Sequence, residues 1–365
     1  MSVRQLITAI VFFFMLMPQK SDKQIEIRGI YGHPQLFWNK GYTLSDLNVN
    51  AIFLHHGGIT DSFMLRAKAE KLKVYAEFAT LNGEDYVEKH PEAWAIDKEG
   101  KKVSKADWFM GVCPTDTGFL NYRLDQLKTL LTKHQIDGVW LDYLHWHAQF
   151  EDPEPILPET CFNGSCVNRF SRETGIKVTR GTDNHRAAFI LKHHEKRWRQ
   201  WRAQVLADWV KQCKKVVKEL RPEALLGIYH CPWNDVEFDS ARYKILGLDY
   251  RLLEKETDVF SPMVYHKRMG KSPEWVKENI EWFSKKISRE DVSIWPIVQA
   301  YNDPSPVSAK EFENVLRNGA SGATTGIMMF TSNSVAEDSL KVQVMKKIYG
   351  EWRQGNTAGR HWAYR

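Results

Sequence analysis

Eight strand-length apolar runs, separated by helical stretches, constrain this chain more than any other feature. The runs occupy residues 25–33, 51–57, 73–80, 136–143, 225–231, 258–266, 292–301 and 326–332. Helical periodicity fills the spaces at 61–72, 116–134, 185–220, 272–287, 308–318 and 335–352. Strands that alternate with helices form a parallel sheet. Eight of them within 365 residues predict one closed (β/α)8 (TIM) barrel over residues 23–353. An open doubly wound sheet lacks its fingerprint, because no Gly-x-Gly-x-x-Gly follows any run.

Two connections are long, 81–113 after the third run and 145–184 after the fourth. Both leave the C-terminal ends of strands, the face on which such barrels carry their sites. Long ordered loops at that face are expected to wall a cleft. The first carries Glu84, Trp94 and Trp108; the second carries Cys161 and Cys166.

The fourth run, 136–146, reads Ile-Asp-Gly-Val-Trp-Leu-Asp-Tyr-Leu-His-Trp. Successive strand residues point to opposite faces. If Val139 and Leu141 face the covering helices, Gly138, Trp140 and Asp142 face the barrel interior. Asp142 then stands at the barrel mouth, followed by Tyr143, His145 and Trp146. Alternation at the other strand ends brings in Tyr31, His55 or His56, Glu77, Tyr229 with His230 and Trp233, Tyr265 with His266, and Gln299 with Tyr301.

Paired carboxylates among aromatic rings suit glycosidic bond cleavage. One acid protonates the leaving oxygen, and the other attacks the anomeric carbon or activates water. Asp142 is the first choice for nucleophile or base. Glu77, Asp235 and Glu237 are the candidate partners. The 14 Trp residues favour a sugar-binding cleft, since flat rings stack on the C–H faces of sugars.

Other chemistries find less support. No Gly-x-x-x-x-Gly-Lys-Ser/Thr loop, Gly-x-Ser-x-Gly elbow or His-Glu-x-x-His motif is present. No metal site and no cofactor are expected. The net charge is only +6, and the basic stretch 192–221 carries its apolar residues at helical spacing. A solvated helix face is therefore expected there, not a nucleic-acid surface.

The start of the chain looks like an export signal. Arg4 precedes the apolar residues 6–17, and a polar stretch follows. The expectation is a signal peptide or uncleaved anchor over residues 1–22, with a periplasmic or extracellular product that is membrane-anchored if the segment is kept. Cys161 and Cys166 bracket a turn-like tetrapeptide, so a local disulfide is expected in an exported chain. Residues 354–365 are expected to be a tail.

The chain resembles bacterial TIM-barrel glycoside hydrolase-like families, in the style of the α-amylase superfamily. The resemblance rests on Asp137-Gly-Val-Trp-Leu-Asp142, on residues 161–170, on the Trp198/Trp201-Arg202 helix and on residues 258–266. It implies a nucleophilic Asp at the end of strand four, which Asp142 matches, and a Glu acid at the end of strand five. That second position reads Tyr229-His-Cys-Pro-Trp233, without a Glu. The expected activity is cofactor-independent glycoside hydrolysis on an oligo- or polysaccharide. A non-catalytic carbohydrate-binding barrel and a metal-dependent polysaccharide deacetylase are the alternatives.

Overall fold

A computed structural model of the chain describes residues 24–362, the stretch 356–362 by its backbone alone. Strands β1 (Ile27–Tyr31), β2 (Ala51–His55), β3 (Lys73–Ala79), β4 (Gly138–Asp142), β5 (Leu225–His230) and β6 (Val259–Val264) pair in chain order, all parallel. Next come β7 (Ser293–Ile294) and β8 (Ile297–Gln299), two pieces of one stave that both pair with β6. Pro296 divides them, because it has no N–H to give to a ladder. Strand β9 (Gly326–Phe330) pairs with β8 and with β1, which closes the barrel. The eight expected runs are thus the eight staves. The signal-like residues 1–22 lie outside the described residues.

Aromatic side chains fill the barrel interior. Phe53 stacks on Tyr75 at 4.7 Å, and Trp140 stacks on Trp295 at 5.4 Å. The Trp140 indole N–H donates to Ser261 Oγ at 2.9 Å, so its one polar atom is satisfied. Each such ring removes roughly 150–250 Å² from water. Four large rings fit only because facing positions are small. A Cβ on Gly227 would overlap the Trp140 ring, and one on Gly29 would come within 2.6 Å of Phe53.

Acids also start two strands. Asp137 Oδ2 accepts from Val74 N and Asp258 Oδ2 accepts from Leu226 N, both at 2.8 Å. These two residues of the resemblance motifs thus tie adjacent staves together at the end opposite the cleft. Outer helices begin at side-chain caps: Asp116 accepts from Phe119 N at 2.7 Å and Ser308 from Glu311 N at 3.1 Å.

One helical expectation is corrected. The stretch 185–220 is two helices, Asp183–His193 and Glu195–Leu220, broken at His194, whose backbone leaves the helical region (φ −138°, ψ 19°). No Gly or Pro marks the break; Phe189 packs against both His193 and His194 there. The final helix, Ser339–Trp362, continues through residues 354–362, where a tail was expected.

Candidate active site

Asp142 ends β4 with its carboxylate turned into the barrel mouth. Thr80 fixes the position: its N–H and its hydroxyl both donate to the Asp142 carbonyl, at 2.9 and 2.6 Å. The next residue, Tyr143, adopts φ +53°, a left-handed conformation uncommon for a non-glycine residue. That geometry turns the Tyr143 N–H back onto Asp142 Oδ1 at 2.8 Å. Stacking of the Tyr143 ring on Phe109, at 5.4 Å and 5° between planes, holds the strained residue in place.

Glu77 projects inward from the neighbouring β3. It is buried, and it accepts a hydrogen bond from the Tyr31 hydroxyl of β1. Burial pushes its carboxyl up from the ordinary range, against the opposing pull of the Tyr31 hydrogen bond. A third carboxyl, Glu151, enters from the long loop after β4 and lines the same cavity. Its Oε2 lies 3.8 Å from Arg268 Nε.

The cavity has a volume of about 450 Å³, including the part open to solvent. Tyr31, Tyr143, Tyr229, Tyr265, Phe330, Trp108, Met263 and Ile297 line it with the three carboxyls. Trp108 stands at the rim, 38% exposed, with the Arg268 guanidinium 4.9 Å over its ring. Arg268 also reaches Asp303 at 2.5 Å, Asp152 at 3.2 Å and Asp107 at 3.6 Å, which joins three loops around the mouth.

The electrostatics follow from crowding acids in a dry place. Asp142 is pushed up to about 8, first by burial and then by the charge of Glu77; the Tyr143 N–H pulls the other way. Glu151 is also pushed up to about 8, by burial and then by Asp142, with Arg268 opposing. Groups this close titrate as a set. At neutral pH the set holds protons that exposed carboxyls lose. It can therefore present an acid and a base side by side.

Of the expected site residues, Asp142, Glu77, Tyr31, Tyr143, Tyr229 and Tyr265 meet in this cavity. His145 lines a narrow extension shared with Asp142 and Glu151, its Nδ1 2.9 Å from the Trp146 carbonyl. Burial lowers His145 to about 4, so it is neutral near pH 7. Tyr301 packs edge-on against Tyr265 at 5.9 Å, behind the wall.

The structure does not bring the remaining expected residues into this cavity. Asp235 turns away to Arg242, at 2.5 Å, and to Lys286. Partial burial raises its carboxyl, but these cations hold it below the usual range. Glu237 accepts from Asn234 N at 2.8 Å and pairs with Lys271 at 3.0 Å. His55 is exposed and accepts from Gly57 N. His56 faces a separate outer groove with His134. Trp146 is buried under Arg202, at 4.5 Å. His230 bonds the Tyr250 hydroxyl and the Cys231 carbonyl, each at 3.0 Å. Trp233 is buried beside Phe238, and His266 pairs with Glu311 at 2.9 Å. Gln299 is fully buried as well; its Oε1 accepts from Lys267 N and Arg268 N, both at 3.0 Å. It thus positions Arg268 from outside the cavity.

The expected Cys161–Cys166 disulfide is not formed; all five cysteines are free thiols. Cys113, from the end of the other long loop, joins the pair, and the three sulfurs share one buried point. Sequence reasoning misses Glu151 in the cavity and Arg268 at its mouth, and Trp108 is visible in it only as part of the long loop after the third strand. The available signal for Glu151 was an acidic pair, Glu151-Asp152, in the loop that leaves the strand of Asp142.

No protein-family model matches the chain, and no curated protein matches it. Solved structures do. The PgaB (BpsB) glycoside hydrolase domain from Bordetella bronchiseptica superposes with a TM-score of 0.65 at 10% identity, over 88% of this chain and 98% of that one. The β-galactosidase from the psychrophilic Marinomonas ef1 gives 0.63 at 9% identity, over 91% of this chain and 60% of that one. The β-galactosidase from Bacillus circulans sp. alkalophilus gives 0.63 at 13% identity, over 91% and 57%. At these identities the likeness is one of fold, and the chain spans under two thirds of either galactosidase.

Proposed function

We propose that this chain is a glycoside hydrolase acting on an oligo- or polysaccharide, with Asp142 as nucleophile or base and Glu151 as general acid. The observation that carries the reading is two carboxyls, both pushed up to about 8, on one aromatic-walled cavity at the C-terminal mouth of a barrel. Asp142 sits on a rigid strand end, as suits the group that must meet the anomeric carbon. Glu151 sits on a loop at the cavity wall, where it can protonate a leaving oxygen. Glu77 and Tyr31 form a hydrogen-bonded pair that holds the cavity side of Asp142 in a fixed field. Trp108 offers a flat face to a sugar ring at the rim. An α-amylase arrangement would draw its acid from the end of strand five; there the inward side chain is Tyr229, so the acid is assigned to the loop. The glycoside hydrolase domains among the similar structures support the substrate class. The apolar residues 6–17 support an exported location for the enzyme.

Leaving-group dependence tests the assignment. Glu151→Gln should lower kcat/KM by about 10³-fold on an oligosaccharide cleaved by the wild type, and far less on an aryl glycoside, which needs little protonation. Equal losses on both substrates would remove Glu151 from the acid role. Tight binding of oligosaccharides with no cleavage by the wild type would replace the proposal with the binding-barrel reading.

A further inference from the structure

Cys113, Cys161 and Cys166 take no part in the carboxyl cluster but sit on the two long loops that carry Trp108 and Glu151. Cys113 closes the loop after β3, just before the helix Thr117–Lys133. Cys161 and Cys166 flank Asn163, which caps the helix Gly164–Thr174 by accepting from Cys166 N at 2.8 Å. The three Sγ atoms all lie within 4.8 Å of one another, and none of the three residues has any exposure. Among the described residues this is the one group of His, Cys, Asp or Glu with metal-ligand spacing. Metal–sulfur bonds of about 2.3 Å place sulfurs of one coordination sphere roughly 3.8–4.0 Å apart, inside that limit. A disulfide would use two sulfurs and strand a third thiol beside it. A metal ion uses all three alike.

The surrounding charge points the same way. Arg202 is fully buried within the field of Cys161 and Cys166. It donates to the carbonyls of Lys244 and Ile245, at 2.5 and 2.6 Å. Arg199, also buried, shares the Glu159 carboxylate with it, at 2.6 Å from Arg199 and 3.4 Å from Arg202. Glu195, half exposed, adds a contact to Arg199 at 3.3 Å. Two buried guanidiniums thus meet one largely buried carboxylate, Glu159, and one half-exposed carboxylate, Glu195. Three thiolates around a divalent ion carry one negative charge. That negative charge would lie in the field of the fully buried Arg202.

We infer that Cys113, Cys161 and Cys166 form a thiolate site for a soft divalent metal ion of the Zn²⁺ type. The Thr115 hydroxyl, 3.1 Å from Cys113 Sγ, puts an oxygen donor beside the trio. The ion staples the loop that carries Trp108 to the loop that carries Glu151. Its work is to hold the cleft wall, and the inference stands whatever reaction the cavity performs.

Metal analysis of the full-length protein decides it. Protein purified under reducing conditions without chelator should carry close to one metal ion per chain by elemental mass spectrometry. The metal-free, reduced wild type should take up Cd²⁺ to one equivalent, with the near-ultraviolet absorption of thiolate-to-metal charge transfer. Cys161→Ser should lose that uptake, and Cys213→Ser, buried elsewhere, should keep it. If Cys161→Ser does not fold, the wild-type titration decides alone. Folded wild type that takes up neither Cd²⁺ nor Zn²⁺ would overturn the inference. So would a disulfide between any two of the three cysteines in protein never exposed to chelator.

Discussion

Removing the charge of Asp142 should stabilise the protein, and increasingly so as pH rises. The carboxyl is raised from an ordinary 3.8 to about 8. The folded state therefore binds its proton more tightly than the unfolded chain does. Stability falls as pH rises between these values, and the full cost is present once the folded group ionises. Taken at face value the displacement is worth roughly 6 kcal/mol. Part of it is already felt at pH 5, where the unfolded Asp is ionised, and the titration is shared with Glu77. Between pH 5 and pH 9, Asp142→Asn should thus gain about 2–4 kcal/mol on the wild type. The amide keeps an oxygen for the Tyr143 N–H, so little else changes. At roughly 2.1 cal/mol/K per residue, that gain raises Tm by about 3–6 °C at pH 9 relative to the difference at pH 5. Thermal and urea unfolding of both proteins at the two pH values measures it. A variant-minus-wild-type difference that is the same at pH 5 and pH 9 would refute the reasoning, and place Asp142 in a solvated setting with an ordinary pKa.

Arg268→Gln removes the cation that favours ionised Glu151, so the alkaline limb of the kcat/KM profile should move to higher pH; an unmoved or lowered limb would separate Arg268 from Glu151. Gly227→Ala forces a methyl into the Trp140 ring and should destabilise the fold by about 1–3 kcal/mol in urea titrations, with neutrality counting against the packing described. Trp108→Ala should raise KM for oligosaccharides with a smaller change in kcat, and an unchanged KM would remove it as a sugar platform.

The barrel was legible because each stave is a buried apolar run, and burial leaves its mark on sequence directly. Asp142 was legible for a related reason: alternation along a strand fixes which side chains face inward, and Trp140 and Asp142 obey it. The same logic placed Tyr31, Glu77, Tyr229 and Tyr265. It failed just beyond the strand ends, where no period constrains the chain. Asp235 and Glu237 read as free acids, but Arg242, Lys286 and Lys271 claim them. His230, Trp233 and Gln299 continue the polar ends yet turn into the core, where Tyr250, Phe238 and backbone N–H groups meet them. Glu151 was hidden in the opposite way. Its place in the cavity depends on the path of a long loop tied down by Arg268, and local sequence does not encode that path. The meeting of Cys113 with Cys161 and Cys166 was invisible for the same reason, since it joins two loops across two strands.

The central claim is that Asp142 performs chemistry on a glycan. Its most direct test is the rate at which Asp142→Asn hydrolyses an oligosaccharide that the wild type cleaves, with binding of that oligosaccharide measured alongside. The account predicts retained binding and a loss of at least about 10³-fold in kcat/KM, or roughly 4 kcal/mol of transition-state stabilisation. Hydrolysis by Asp142→Asn at near the wild-type rate would contradict it and leave Asp142 as a strand-end cap.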